Sequence, residues 1–447
     1  VWNGVIACAR VSPTYRAQFA ELPELVLIDH QQLLQVAAEG GEEATALLAK
    51  GTHAVVTDAS MLEDTATRAL GAELNLDDLR AASQGHAALT SLSDLLAIYV
   101  EKLGGEDVRY LVPHDLESRE AAGLRQMIAP LTTDQSLPER TRHLLEQAAK
   151  VLEPDGLAAR LAWIERRRGG GLYMHSAPEK AADLLAAHLY KKVPTTLLLP
   201  PGKEGDEAPI VPNEIKSERL AAPASAEPII VDLAGPPLEE LLRAPPEGKT
   251  IILLGSKRSI EMAFARFAGS MEEKKVTLIC QGMSGGQGRM EADFLAAEGT
   301  TIWLLTPWTY EGTELPAGSV DRLAIETLPF DHPSHPVLGR RAMRYRDGFS
   351  DYLMPRLEQR LFRLLRTFAF QRRGAGEALV MDRRLFGKDY GKRIQAYLAR
   401  IATVKDAERR PDIAPVPVAI HAKPAQKKPT AKKAPKKAIN DQQLPLL

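Results

Sequence analysis

Apolar and polar positions alternate in short blocks through the second half of the chain. Runs rich in branched apolar residues predict buried strands at 229–232, 250–255, 276–280, 301–305, 322–326 and 378–382. Between these runs, apolar residues recur at helical spacing, which predicts helices at 237–243, 257–268, 288–297 and 353–370. Strands that alternate with helices in this way are typical of a doubly wound parallel sheet, so the predicted fold class is α/β.

The first half carries a shorter version of the same pattern. Residues 24–35 predict a buried strand that runs into a helix, and residues 53–57 predict a second short buried strand. A strand at 172–175, a helix at 178–190 and a strand at 195–199 follow later. The strands at 24–35 and 53–57 suit a second parallel sheet that is covered on two faces.

A long segment separates the two groups of strands in the first half. From about residue 59 to residue 168, apolar positions such as Leu92, Leu96 and Tyr99 recur on one helical face, with few branched apolar runs between them. The pattern therefore predicts a helical insertion.

Composition limits what the chain can be. Its 447 residues are enough for two or three domains. No run of about 18 apolar residues and no apolar leader are present, so we expect a cytoplasmic protein without a membrane span. Cys8 and Cys280 alone exclude a disulfide framework and a four-cysteine metal or iron–sulfur site within one chain, and no metal site is predicted. The first residue is Val1 rather than methionine, which suggests a fragment.

Charge is distributed unevenly although the formal net charge is only −1. Residues 423–437 hold seven lysines and no acid, within a proline- and alanine-rich tail that we expect to be disordered. Such a tail would hold DNA in a non-specific, salt-dependent way. The lysines predicted for this contact are Lys427, Lys428, Lys432 and Lys433.

The most specific motif lies on a late helix and reads Gln359-Arg360-Leu361-Phe362-Arg363-Leu364-Leu365-Arg366. Arg363 and Arg366 are three positions apart and hence share one helix face. Two guanidinium groups so placed can reach the terminal phosphate of a nucleotide. Further motifs of this half are Tyr310-Glu311-Gly312-Thr313-Glu314, Leu328-Pro329-Phe330 and Asp382-Arg383-Arg384-Leu385.

In their order and spacing these motifs resemble the second motor domain of the DinG/XPD-like superfamily 2 DNA helicases. The family's aromatic-Glu-Gly-x-Asp pattern is matched with Glu314 in place of Asp, and Gln-x-x-Gly-Arg-x-x-Arg is matched with Phe362 in place of Gly. The resemblance implies RecA-like doubly wound parallel sheets, one partial and one complete, with a helical arch-like insertion and a disordered basic tail.

The resemblance also implies a division of the chain into six parts. Residues 1–75 and 169–205 would form a partial first motor domain around an arch-like insertion, and a linker would lead to a complete second motor domain and the tail. The remaining boundaries are 76–168 for the insertion, 206–226 for the linker, 227–405 for the second domain and 406–447 for the tail.

The activity implied by the resemblance is that of an ATP-dependent DNA helicase in DNA repair or replication. The complete motor would use ATP and Mg²⁺ to move 5′→3′ along single-stranded DNA. The residues matched to phosphate sensing and hydrolysis are Arg363, Arg366 and Asp58. Those matched to coupling between nucleotide and DNA are Gln359, Glu311, Gly312 and Glu314. The DNA contacts predicted at the start of the second domain are Lys257 and Arg258.

Several positions depart from the family's pattern. Thr57-Asp58-Ala59-Ser60 occupies the place of the acidic Asp-Glu-x-His box, whose first carboxylate holds Mg²⁺. The alternative for this stretch is a turn after a strand with a helix cap at Ser60. No Gly-x-x-x-x-Gly-Lys-[Ser/Thr] sequence is present, and only Cys8 matches the four cluster cysteines of the family. The alternative function is therefore a degenerate, non-hydrolysing module that binds DNA and the sliding clamp; a CRISPR-associated relative is a third possibility.

Two features remain open at the level of sequence. The chain ends in Gln443-Leu444-Pro445-Leu446-Leu447, which resembles the pentapeptide by which bacterial proteins bind the sliding clamp; the alternative is an incidental apolar end. The arginines around 340–346 form either a solvated face or a DNA track. The preferred DNA structure, the pathway and the oligomeric state are not predicted, and a nucleoid-associated location follows only from the expected DNA binding.

Overall fold

The computed structural model describes residues 24–405 apart from 41–46, 49–50, 52, 105–106, 155–159, 168–170, 217, 219–228, 234 and 333–334. All described residues belong to one compact unit. The lysine-rich tail, the terminal pentapeptide and Cys8 therefore lie outside the described residues. No helix in the described part of the chain is long and apolar enough to cross a membrane.

Strands and helices alternate along the described chain. The strands are Ala54–Val56 (β1), Ala72–Asn75 (β2), Val108–Tyr110 (β3), Arg160–Arg166 (β4), Leu172–Pro178 (β5), Thr195–Leu197 (β6), Ile230–Asp232 (β7), Lys249–Leu253 (β8), Thr277–Cys280 (β9), Thr301–Leu305 (β10), Val320–Ile325 (β11), Arg372–Val380 (β12) and Thr403–Lys405 (β13). The α-helices are His30–Glu39 (α1), Leu62–Ala69 (α2), Leu76–Ala82 (α3), Ala87–Leu103 (α4), Pro113–Leu116 (α5), Arg119–Thr132 (α6), Glu139–Val151 (α7), Ala181–Leu185 (α8), Leu238–Arg243 (α9), Lys257–Glu273 (α10), Gln287–Ala296 (α11), Pro307–Tyr310 (α12), Pro336–Ala342 (α13), Met354–Gln371 (α14), Arg384–Gly387 (α15) and Gly391–Ile401 (α16).

Residues 229–405, here called the large lobe, contain a seven-stranded parallel sheet in the order β13-β7-β12-β11-β8-β10-β9. Successive side chains of β8 enter different cores because neighbouring residues of a strand face opposite sides. Ile251 packs with the core that includes α14, whereas Ile252 packs with the core that includes α10. The predicted doubly wound parallel sheet is thus confirmed. The last strand, β13, lies just beyond the end near Ile401 that the sequence pattern predicted.

Residues 30–69 and 179–216 are here called the small lobe, and the sheet that their described part forms is the parallel pair β1 and β6. Leu34, Leu62 and Leu185 cover one face of this pair and form its core. Val55 in the middle of β1 is 61% exposed. Among the described residues, the small lobe therefore presents a parallel pair with an exposed face, where a sheet covered on two faces was expected. The strand predicted at 172–175 corresponds to β5, which pairs antiparallel with β2 and β4 instead of joining this pair.

The strand predicted at the start of residues 24–35 is wrong. Residues 25–29 lie outside any described sheet, and Leu25 and Leu27 are exposed. The helical part of the prediction is confirmed by α1, which Asp29 caps by accepting a hydrogen bond from the Gln32 backbone N–H. An apolar run predicts a strand only if a neighbouring strand can satisfy its backbone groups, and the described sheet of the small lobe ends at β1 and β6.

Residues 72–178, here called the insert, combine α3 to α7 with a four-stranded antiparallel sheet in the order β2-β5-β4-β3. The prediction of helix from about 59 to 168 is therefore wrong at β2, β3 and β4. β2 and β3 have three or four residues each, too few to show an alternating pattern. Their partners lie far away in the chain, as Leu74 opposite Met174 shows, so local periodicity could not reveal them.

Candidate functional site

Helix α14 carries three buried arginines, of which Arg356 and Arg363 contact the small lobe. Arg356, Arg360 and Arg363 are spaced by four and three positions, so their side chains lie on one face of the helix. A π-helical turn, Phe349–Leu353, directly precedes the helix and leads the chain into it. All three arginines are less than a tenth exposed, although arginine is rarely buried without a charged partner.

Arg363 spans the boundary between the two lobes. Its Nη2 and Nε atoms lie 3.0 and 3.2 Å from Oε1 of Glu311 in the large lobe. Its Nη1 atom donates a 2.8 Å hydrogen bond to the Ser60 hydroxyl of the small lobe. Burial lowers the pKa of Arg363 from its ordinary value, partly offset by the Glu311 carboxylate. The side chain is thus held at the boundary by one partner from each lobe.

Arg366 also reaches the small lobe, but it is half-exposed. Its Nη2 atom lies 2.5 Å from Oδ1 of Asp58. Asp58 sits in the turn after β1 and adopts a left-handed backbone conformation with φ 51°. Aspartate tolerates this conformation better than most residues, and the turn aims its carboxylate at α14. The two arginines predicted from their spacing therefore meet the turn that carries the predicted acidic position.

Behind Arg363, acids and arginines alternate along the large lobe. Arg360 lies 2.8 Å from Asp331 and 3.7 Å from Glu311, and Arg356 lies 2.7 Å from the other oxygen of Asp331. Although burial alone raises it, the Arg360 and Arg356 guanidinium groups together hold the pKa of Asp331 below its ordinary value. This row of charges connects Arg363 to Arg356 at the far end of the boundary.

A second cluster lies at that far end, around Glu63 of α2. Glu63 is 4% exposed and accepts hydrogen bonds of 2.7 Å from Arg356 and 2.8 Å from the Tyr352 hydroxyl. Arg341 lies 3.5 Å from its other oxygen. Burial raises the pKa of Glu63, while Arg341 and Arg356 act in the opposite direction. Sequence reasoning missed this cluster; the only available signal was the spacing of Arg356 on the same helix face as Arg363.

Arg341 corrects a further expectation. The arginines around 340–346 were predicted to form a solvated face or a DNA track, yet Arg341 is 3% exposed and buried against the small lobe and the insert. Arg344 and Arg346 are exposed. The sequence pattern could not separate them because Arg341 has its partners far away in the chain.

The remaining predicted residues are distributed over the large lobe. Gln359 lines a small crevice between the lobes together with Ser60 and Arg356. The Gly312 carbonyl accepts a hydrogen bond from the Gln287 side chain. Glu314 is exposed, and its backbone N–H donates a hydrogen bond to the Glu291 carboxylate. Lys257 and Arg258 are exposed at the first turn of α10. Only Glu311 of the predicted coupling residues therefore contacts the arginines.

The residues at the boundary fit one half of a nucleotide site. Arg363, Arg366 and Gln359 are donors of the kind that bind a polyphosphate. A magnesium ion needs carboxylate oxygens, but position 57 is a threonine and the Asp58 carboxylate is paired with Arg366. No cluster of three His, Cys, Asp or Glu side chains able to hold a metal occurs among the described residues. The described residues thus fit the phosphate-sensing half of such a site and not the half that holds the metal.

Comparisons with known proteins find similarities in sequence and in fold. Residues 238–400 match the family model described as Helicase C-terminal domain. The 3′-5′ exonuclease DinG of Bacillus subtilis is 24% identical over 162 residues, which cover 34% of this chain and 17% of that protein. The chain therefore spans about a sixth of the length of this curated relative.

Solved structures resemble the fold over most of the chain. A structure titled XPD_Helicase has a TM-score of 0.54 at 13% identity. The match covers 78% of this chain and 68% of the chain in that structure. Xpd4 of S. tokodaii has a TM-score of 0.50 at 11% identity, and the match covers 79% of this chain and 75% of the Xpd4 chain. At such identities the likeness concerns the fold alone. Residues 238–400 thus match a helicase C-terminal domain, and the chain resembles DinG in sequence over 162 residues and XPD structures in fold.

Proposed function

We propose that the chain is the nucleotide-sensing C-terminal portion of a DinG-type, ATP-dependent DNA helicase that moves 5′→3′ along single-stranded DNA in repair or replication. The observation that carries the proposal is that Arg363 and Arg366 extend from the large lobe to Ser60 and Asp58 in the small lobe. A nucleotide bound between the lobes would meet both guanidinium groups. The six-part division of the chain given above belongs to this proposal.

Each residue at the boundary would act through charge or hydrogen bonding. A γ-phosphate would compete with Glu311 for Arg363, since guanidinium groups bind phosphate and carboxylate in the same bidentate way. Release of Glu311 would pass the nucleotide state to the segment that carries Gly312 and Glu314. Gln359 would donate to the phosphates from the adjacent crevice. Lys257 and Arg258 would bind the DNA backbone.

ATP turnover tests the proposal. We expect turnover stimulated by single-stranded DNA, in the chain itself or in a version extended upstream, and its loss in Arg363→Ala, because this side chain would neutralise charge on the transferred phosphate. Arg266→Ala is a suitable control, because Arg266 forms an exposed pair with Glu239 within the large lobe. Turnover that is equal in Arg363→Ala and in the control would overturn the assignment of Arg363.

A second candidate is a module that binds DNA without hydrolysing ATP. The observation in its favour is the loss of the metal-holding carboxylate at Thr57 together with the pairing of Asp58 with Arg366. Single-stranded DNA binding with no turnover in the chain or in the extended version would support this candidate over the motor. The nuclease in the name of the Bacillus relative forms no part of either candidate.

The tail would supply partners for either candidate. Its lysines would hold DNA through charge, and the end Gln443–Leu447 would bind the bacterial sliding clamp, which implies a location at the nucleoid. Deletion of the last five residues should abolish clamp binding in surface plasmon resonance and leave DNA binding unchanged. Equal clamp binding with and without these residues would exclude this role.

A further inference from the structure

The small lobe and the large lobe are joined by a cluster of charges that lies beside the predicted nucleotide site. All three nitrogens of the Arg356 guanidinium group have carboxylate partners: Nη1 with Glu63, Nη2 with both oxygens of Asp64 at 2.9 Å, and Nε with Asp331. Glu63 and Asp64 belong to the small lobe, and Asp331 belongs to the large lobe. One side chain of α14 thus ties two acids of α2 to its own lobe.

Arg341, which also lies 3.5 Å from Glu63, makes a second connection. Its Nη2 atom donates to the Thr67 hydroxyl and to the Pro178 carbonyl, both at 2.8 Å, and its Nε atom donates to the Glu179 carbonyl at 3.1 Å. Arg341 comes from α13 and not from α14, so the two arginines hold α2 from two different elements. Two anchors of this kind restrict rotation of the lobes as well as their separation.

The geometry decides whether these charges can hold the lobes together. A buried ion pair is net favourable only if its contacts are close and its remaining hydrogen-bonding groups are satisfied, because both ions lose hydration. Arg356 meets this condition, since each of its nitrogens has a partner within 2.9 Å. Glu63 meets it at Oε2, which accepts from Arg356 and from the Tyr352 hydroxyl, whereas its Oε1 lies 3.5 Å from Nη1 of Arg341 without a hydrogen bond.

A guanidinium group recognises a carboxylate much as it recognises a phosphate. In a protein that closes on a ligand, the ligand must bind the closed state more tightly than the open one. Here the side chains of Glu63 and Asp64 already supply anions from the small lobe to Arg356 of the large lobe. We propose that Glu63, Asp64, Arg341 and Arg356 form an interlobe clamp that keeps the two lobes closed without a nucleotide, with the two carboxylates in the place of phosphate. The clamp does not depend on whether the chain hydrolyses ATP.

The test measures the distance between the lobes in the full chain. Fluorescent dyes are attached to Lys191→Cys in the small lobe and Glu272→Cys in the large lobe, both of which are exposed positions, after Cys8 and Cys280 are replaced by serine. Single-molecule energy transfer is recorded without nucleotide and with ATPγS. We expect one narrow distribution of energy-transfer efficiencies, and ATPγS should not shift its mean. The double variant Arg341→Gln, Arg356→Gln should broaden and shift it.

Arg266→Gln is the matched control, because it removes a bidentate arginine–carboxylate pair that lies within the large lobe. It should leave the population unchanged. If the double variant does not fold by circular dichroism, Arg356→Lys replaces it; lysine keeps the charge but cannot hold Glu63 and both oxygens of Asp64 at once. A wild-type population that ATPγS moves, or folded clamp variants that match the wild type, would overturn the clamp. Absence of ATP turnover would overturn only the motor proposal.

Discussion

The two lobes of this chain are built from the same kind of parallel sheet but differ in how far they complete it. The large lobe covers both faces of a seven-stranded sheet, whereas the described residues of the small lobe cover one face of two strands. Motif residues follow the same division: α14 of the large lobe carries Arg363 and Arg366 with Phe362 as the one departure, whereas Thr57 of the small lobe stands where the resembled acidic box has a carboxylate. The lobe with the complete sheet thus carries the two arginines that are predicted to sense phosphate, and the lobe with the partial sheet supplies Ser60 and Asp58 as their contacts.

The largest effect in a test of this difference between the lobes is expected in the core of the large lobe. Trp303 on β10 is fully buried and packs against Phe294 at 5.2 Å between ring centroids. Trp303→Ala should lower the free energy of unfolding by about 3–5 kcal/mol through lost burial and a cavity. Denaturation with guanidinium chloride measures this loss of unfolding free energy. Trp308→Ala is the control, because Trp308 is 43% exposed, and it should lower the free energy of unfolding clearly less. Equal losses in the two variants would contradict a tightly packed core in the large lobe.

A smaller effect is expected from the charges at the boundary. Asp331→Asn removes the common partner of Arg356 and Arg360 and should lower the free energy of unfolding by roughly 3 kcal/mol near neutral pH. The pKa of Asp331 is lower in the folded state than its ordinary 3.8, so its contribution is present above that pH and is lost as the pH falls through the lowered value.

Denaturation of the wild type and of Asp331→Asn at several pH values measures this contribution. The difference between the two proteins should narrow as the pH falls below 3.8. A difference that stays constant down to strongly acidic pH would show that the Asp331 carboxylate does not stabilise the boundary through its charge.

The hydroxyl group of Tyr352 provides a finer test. Tyr352→Phe removes the hydrogen bond to the Glu63 carboxylate and should lower the free energy of unfolding by about 1.5–3 kcal/mol, as expected for a hydrogen bond to a charged group. Tyr397→Phe is the matched control, because the buried Tyr397 hydroxyl has no hydrogen-bond partner among the described residues. Equal stability of the two variants in thermal unfolding would argue against a role of Tyr352 at the boundary.

The smallest effect is expected at the open sheet of the small lobe. Val55→Thr, at a position 61% exposed, should change the free energy of unfolding by less than about 0.5 kcal/mol. Val231→Thr on β7 places the same hydroxyl group in the core and should lower the free energy of unfolding by about 1–3 kcal/mol. Urea denaturation of both variants measures the contrast between the lobes. A large loss in Val55→Thr would show that the exposed face of β1 is covered in solution.

Sequence periodicity was a reliable guide where a strand is long and buried. Predicted strands at 250–255 and 301–305 correspond to β8 and β10 within two residues, because both faces of those strands are apolar. It was a poor guide at β2 and β3 in the insert, which are short and pair with distant strands. The spacing of Arg363 and Arg366 predicted a shared helix face, and the structure places both at the boundary between the lobes; their roles remain a prediction.

The sequence by itself determined the parallel sheet of the large lobe and the face of α14 that carries the arginines, because both follow from periodicities within a few residues of chain. Only the tertiary structure decided that Arg356 meets Glu63, which lies 293 positions away. It also decided that Arg341 is buried while Arg344 is exposed. Local patterns carry no information about which distant carboxylate will neutralise an arginine, because that choice depends on how the two lobes pack.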